Sequence, residues 1–218
     1  GGGTDVVVEV NQMDRRFDHL VALDAIGELR GFEETADALV LGAGEPLAFL
    51  EEALHGRLPM LDELFPLFSS RLIRNRATFG GNLVNASPIG DGPPALLALY
   101  ASLVLARKGG ERTVPLDGFF TAYRKTQLEP GEIVRSVVVP KPFPDVQRFF
   151  KVSKRILDDI STVAAGFALW TDGGLITKAR LAYGGVATTP MCAHDAQAAL
   201  VGKQLEPSAL ADVVPLLE

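Results

Sequence analysis

Three prolines within five residues, in Pro140-Lys141-Pro142-Phe143-Pro144, divide the chain into two stretches of different local grammar. Proline lacks the amide hydrogen that helices and central strands need, and it pushes the residue before it out of the helical region. No regular element runs through such a segment. One domain is therefore expected over residues 1–143 and a second over 144–218. Beyond the break, residues 147–154, 161–171 and 175–183 read as long strands, with Asp172-Gly173-Gly174 as the hairpin turn between the last two. Residues 193–200 and 207–217 read as helices. Three antiparallel strands followed by helices make an α+β layer.

Before the break the elements are shorter. The β-branched run 6–10 (VVVEV) predicts a buried strand, and residues 19–23, 29–32 and 38–41 predict three more. A helix is expected over 45–55, stopped by Gly56, and another over 61–67. Asp91-Gly92-Pro93-Pro94 has the form of a helix start, because Asp is a preferred cap and proline is tolerated in a first turn. Strands are expected at 102–106 and 112–115 around Lys108-Gly109-Gly110, and at 132–139.

The chain has 218 residues, 47% of them hydrophobic, which is enough to bury a sizeable core. A net charge of −6 without a basic stripe argues against nucleic acid. The one cysteine, Cys192, excludes an internal disulfide framework, an iron–sulfur cluster or a Cys-rich zinc site within this chain. His19, His55 and His194 have no ligand spacing, so no metal is expected. The longest apolar runs are too short and too interrupted to span a bilayer, so no membrane partner is expected. The single thiol accords with a reducing compartment, and a cytoplasmic location is expected. The chain opens without methionine and stops inside its last expected helix, so its true ends are expected to lie beyond both.

The stretch from Phe68 to Asp91 concentrates the chemistry. Arg71, Arg74 and Arg76 precede Gly80-Gly81-Asn82, read as a tight loop whose glycines take φ > 0 and turn their amides inward on an anion. Gly1-Gly2-Gly3-Thr4 is a second glycine-rich segment, and each has a hydroxyl beside it (Thr4, Thr78). Two such loops suit a dinucleotide, whose diphosphate needs several N–H donors. Each also has a plainer reading. Gly-Gly turns are common, leading glycines serve as linkers, capping alone explains Asp91, and an aromatic such as Phe68 is usually core. No Ser-His-Asp arrangement, HExxH, Walker A or GxGxxG motif is present.

The run TFGGNLVNASPIGDGPPALLAL (78–99) resembles the flavin-binding loop of the molybdenum hydroxylases, in particular the FAD domain of xanthine dehydrogenase. GGTDV (2–6), FFTAYRKTQLEPGEIVRSVVVP (119–140), FFKVSKRILDDIS (149–161) and YGGVATTP (183–190) resemble further segments of the same flavoproteins, in the same order. The resemblance implies an α+β fold: a two-part FAD-binding domain (PCMH-like), then a flavoprotein C-terminal domain with a three-stranded antiparallel sheet and helices. It implies that Gly2, Gly3, Thr4, Asp5 and Val6, with Thr78, Phe79, Gly80, Gly81 and Asn82, surround the pyrophosphate and neighbouring parts of FAD. Asp91 and Lys151 would contact polar atoms of the cofactor, and the isoalloxazine would lie between Phe68 and Val134, the latter smaller than the family's usual leucine. Asp5, Ile89, Tyr123 and Asp158 would form a nicotinamide-binding face. No side chain is expected to be catalytic, since the flavin carries the chemistry.

The function so implied is an electron-transfer module. A partner molybdopterin subunit hydroxylates a purine, a partner iron–sulfur domain relays electrons, and FAD on this chain passes a hydride to NAD⁺. This makes the chain part of a hetero-oligomer. The strand before the first glycine loop and the end of the C-terminal domain, both usual in the family, are absent from this sequence. Two rival readings are the same subunit in a molybdenum hydroxylase for carbon monoxide, an aldehyde, an N-heterocycle or an aroyl-CoA, and a scaffold subunit without cofactor. The glycine loops and Lys151 argue against the scaffold.

Overall fold

The computed structural model describes residues 1–211 and 213–217. Helix α1 (Thr4–Met13) comes first. It is followed by strands β1 (Phe32–Glu34) and β2 (Ala38–Gly42) and helices α2 (Leu47–Ala53), α3 (Pro59–Leu67), α4 (Arg71–Arg74), α5 (Phe79–Val84) and α6 (Gly92–Ala98). Strands β3 (Ser102–Arg107), β4 (Gly110–Pro115) and β7 (Ile133–Pro140) join β1 and β2 in a five-stranded antiparallel sheet of order β1-β2-β7-β3-β4. Between β4 and β7 lies the hairpin of β5 (Phe120–Ala122) and β6 (Lys125–Thr126).

After the proline break come β8 (Val146–Val152), β9 (Val163–Asp172), β10 (Leu175–Gly184) and β11 (Met191–Cys192), then α7 (His194–Leu200). Their sheet runs β11-β10-β9-β8, so two residues of β11 add a fourth strand to the three expected. Alternation sorts β10 between two cores: Ala182 faces the larger one, and Ala179 and Leu181 face a smaller one under α7. The larger core is continuous across the break, joining Leu39, Phe65, Phe79 and Leu103 to Phe149 and Ala164. Helix α6 is buried along its whole length against β9 and β10.

Five sequence expectations fail here. Residues 6–10 belong to α1 and not to a strand, and α1 buries none of its residues. Left-handed Gly3 starts that helix, left-handed Asp14 stops it, and no strand lies beside the valine run to pair with it. Residues 19–23 form no strand, and 29–32 span a 3₁₀ turn (Gly27–Leu29) and the start of β1. Gly80-Gly81-Asn82 is the first turn of α5, and neither glycine has positive φ. The last expected helix is two 3₁₀ turns, Pro207–Leu210 and Val214–Leu216, and Asp212 between them lies outside the described residues.

Candidate functional site

Helix α5 exists because Thr78 caps it. The Thr78 hydroxyl accepts the N–H of Gly81 at 3.0 Å, and the Gly80 N–H donates to the Ala43 carbonyl at 3.0 Å. The glycines serve close approach here. A Cβ on Gly80 would sit 2.6 Å from the Ala43 oxygen, and one on Gly81 would sit 3.2 Å from the Thr78 hydroxyl and 3.4 Å from the Gly1 oxygen. The two glycine segments expected to act together are thus in contact, though the amides of Gly80 and Gly81 already have partners inside the protein.

The free amides lie on α1. Gly2 and Gly3 take φ of 67° and 73°, and the first helical N–H to bond back is that of Val7, to Gly3 at 2.9 Å. Those of Thr4, Asp5 and Val6 have no acceptor among the described residues. They lie at a ten-residue helix's positive end, where anions are favoured.

Two cavities meet at this point. The larger, about 470 Å³, has Thr4, Asp5, Phe68, Thr78, Asn82, Ile89, Asp91 and Asp158 in its wall. The second, about 310 Å³, lies between α1, α5 and β7 and is walled by Val6, Gly80 and Val134 among others. Gly1, Asp5, Gly81 and Asn85 line both. Phe68 lines the larger cavity and Val134 the second, with the α1–α5 contact between them. Phe79 is fully buried in the core, and Tyr123, 58% exposed, belongs to neither wall.

Asp91 begins α6, but its carboxylate makes no capping bond. One oxygen accepts the Ser161 hydroxyl, and the other accepts Lys151 Nζ at 2.7 Å, which also donates to the Leu67 carbonyl at 3.0 Å. Lys151 is thus behind the wall, and Asp91 is the part of the pair that meets the cavity. At the mouth, the Ser69 hydroxyl donates to Asp158 Oδ1 at 2.7 Å, and both residues have positive φ. The backbone N–H of Arg155 holds the Asp159 carboxyl below the usual range, helped by the Ile160 N–H and the Arg155 guanidinium, so this carboxylate stays ionised.

The basic segment expected beside the loop is neutralised. Arg71 pairs with Glu51 and Glu52, Arg74 with Glu51, and Arg76 with Asp24. Sequence reasoning missed Arg124, which reaches the larger cavity from the β5–β6 hairpin. It also missed Glu132, which borders the second. Two bonds from Arg112 and the Glu129 N–H lower the Glu132 carboxyl to about 2. No cluster of three or more metal-ligating side chains occurs among the described residues.

The pattern describing the FAD binding domain in molybdopterin dehydrogenase matches residues 1–142, and that of the CO dehydrogenase flavoprotein C-terminal domain matches 148–218. The chain is 33% identical to the xanthine dehydrogenase FAD-binding subunit of Escherichia coli O157:H7, over 91% of this chain and 70% of that one. It is 32% identical to nicotinate hydroxylase of Emericella nidulans over 98% of its length, spanning 17% of that protein. Its fold is similar to a chain of carbon monoxide dehydrogenase from Hydrogenophaga pseudoflava, with a TM-score of 0.92 and 30% identity, covering 99% of this chain and 76% of the other.

Proposed function

We propose, from the premise that this chain belongs to the family of FAD-binding domains of the molybdopterin dehydrogenases, that its two joined cavities hold one FAD. One observation carries the reading: the cavities meet at Gly1, Asp5, Gly81 and Asn85, where α1 presents three amides without acceptors. A dinucleotide has this shape, two flat halves joined by a diphosphate. Each cavity falls within the range of about 300–1,000 Å³ usual for ligand sites. Phe68 and the larger cavity would hold the flavin half, Val134 and the second cavity the adenine half, and the amides of Thr4, Asp5 and Val6 the diphosphate.

FAD bound there would accept electrons singly and pass them on as a pair. The chain orients it. Lys151 and Ser161 lock Asp91 so that its remaining lone pairs accept hydrogen bonds from the cofactor's polar edge. Gly81 leaves room where a side chain would obstruct the junction. Asp5, Ile89 and Asp158 on the wall, with the exposed Tyr123 next to Arg124 in the chain, would form the face that receives NAD⁺.

The partners in this reading are an iron–sulfur domain and a molybdopterin subunit in a hetero-oligomer. The substrate class is purine, as in xanthine dehydrogenase, supported by the SPIGD and AYRKT segments. Residues 1–143 form the FAD domain and 144–218 the flavoprotein C-terminal domain, and the assembly works in the cytoplasm.

Titrating the purified chain with FAD and desalting tests the reading. Flavin absorbance should stay with the protein, and added NADH should bleach it. Gly81→Val should abolish retention while the protein remains folded by circular dichroism. A folded wild-type chain that releases all its flavin would refute FAD binding. Flavin retained unchanged by the valine variant would remove the diphosphate from this junction. Hydroxylation of a purine by the copurified assembly checks the substrate.

A further inference from the structure

The chain has fourteen arginines, and thirteen have a carboxylate within ion-pairing distance. Arg124 is the exception among the described residues. Its Nη1 makes a 3.4 Å contact with the amide oxygen of Asn85, whose own Nδ2 donates to Asp5 Oδ1 at 3.2 Å. Asn85 and Asp5 line both cavities, so the guanidinium stands beside their junction. No carboxylate of the larger cavity forms an ion pair with Arg124 among the described residues, and each has another partner. Asp91 has Lys151 and Ser161, Asp158 has Ser69, Asp159 has Arg155, and Asp5 has Asn85.

The backbone carries a second, separate sign. Arg124 occupies the tip of the β5–β6 hairpin at φ 53°, a conformation that glycine or asparagine adopts at lower cost. A strained non-glycine residue at a cavity mouth indicates that its side chain, and not its backbone, is what the position requires.

We propose that Arg124 recognises a dinucleotide diphosphate at this junction, its planar fork leaving Asn85 to take two phosphate oxygens. The assignment rests on the nucleotide reading above and adds to it the residue that supplies the positive charge. The walls otherwise carry the carboxylates of Asp5, Asp91, Asp158 and Asp159, which would repel such an anion, and the other guanidinium there, that of Arg155, is tied to Asp159. A diphosphate could come from the resident FAD or from a visiting nicotinamide dinucleotide.

The test uses the full-length flavoprotein with whatever subunits copurify, comparing wild type with Arg124→Gln, Arg124→Lys and Arg124→Asn. FAD affinity is read by flavin fluorescence, the KM for NADH by flavin bleaching, and stability by the melting temperature. Arg124→Gln should raise one constant at least tenfold: the FAD dissociation constant if the resident diphosphate is bound, the KM for NADH if the visiting one is. Lysine should give a smaller loss, since it keeps the charge without the fork. Arg124→Asn should bind as poorly as glutamine yet melt no lower than wild type. Both constants within twofold of wild type in Arg124→Gln would overturn the assignment alone. So would a binding loss that tracks a lowered melting temperature. A wild-type protein that binds neither FAD nor NADH would overturn the nucleotide reading and this assignment with it.

Discussion

Lys151 has a side chain 2% exposed, and the Asp91 carboxylate pairs with its Nζ at 2.7 Å. Removing one partner of such a pair strands the other, at a cost of about 3–5 kcal/mol, whereas replacing both by apolar groups costs far less. Lys151→Met should therefore destabilise the chain by roughly 3 kcal/mol in urea unfolding. Adding Asp91→Leu should recover much of that loss while still weakening FAD. A double variant as unstable as the single one would show that Lys151 acts through packing alone. The pair also shows the limit of local reading. Asp91 has the sequence position of a helix cap, and only the approach of β8, sixty residues later, claims its carboxylate.

Among the elements, α6 sets where Asp91 stands, and its depth depends on small residues across from it. A Cβ on Gly166 of β9 would lie 2.6 Å from the Pro94 oxygen and 3.1 Å from the Ala98 Cβ. Backbone atoms cannot yield as a flexible side chain would, so Gly166→Ala should cost about 1–3 kcal/mol by overpacking. It should also lower FAD affinity, because lifting α6 moves Asp91; thermal melting and flavin titration check both. Strands with partners were readable from alternation, as β3, β7, β9 and β10 show. The valine run of α1 was not. β-Branched residues favour a strand only when a neighbouring strand offers a pleated surface, and α1 has none beside it.

At the scale of the whole molecule, acid sensitivity should trace to carboxylates held ionised by the fold. Glu132, just before β7 and with a side chain 2% exposed, pairs with Arg112 of β4, and those bonds with the Glu129 N–H lower it to about 2. In an unfolded chain it titrates near 4.3, about the free glutamate value. Its folded value is the lower one, so its contribution is complete above about pH 4.3 and drains away as pH falls towards about 2. Glu132→Gln should be less stable than wild type at neutral pH, with the difference shrinking as the medium is acidified. Urea midpoints across that range measure it, and a constant difference would contradict the assignment.

The order of motifs along the chain was enough to identify the family and to pick out segments that line the two cavities, because close backbone approach needs glycine wherever it occurs and a hairpin needs its turn residues in sequence. Which charges are spent and which remain available was decided in three dimensions. Arg71, Arg74 and Arg76 look like the basic patch until Glu51, Glu52 and Asp24 are found against them, while Arg124, unremarkable in sequence, is left facing a cavity. Likewise, only the packing of α1 against the start of α5 shows that the spaces beside Phe68 and Val134 meet at Gly1, Asp5, Gly81 and Asn85. The physical reason is common to both. Ion pairing and cavity shape depend on distances between residues that meet only when sheets and helices pack, and no local pattern of residues encodes those distances.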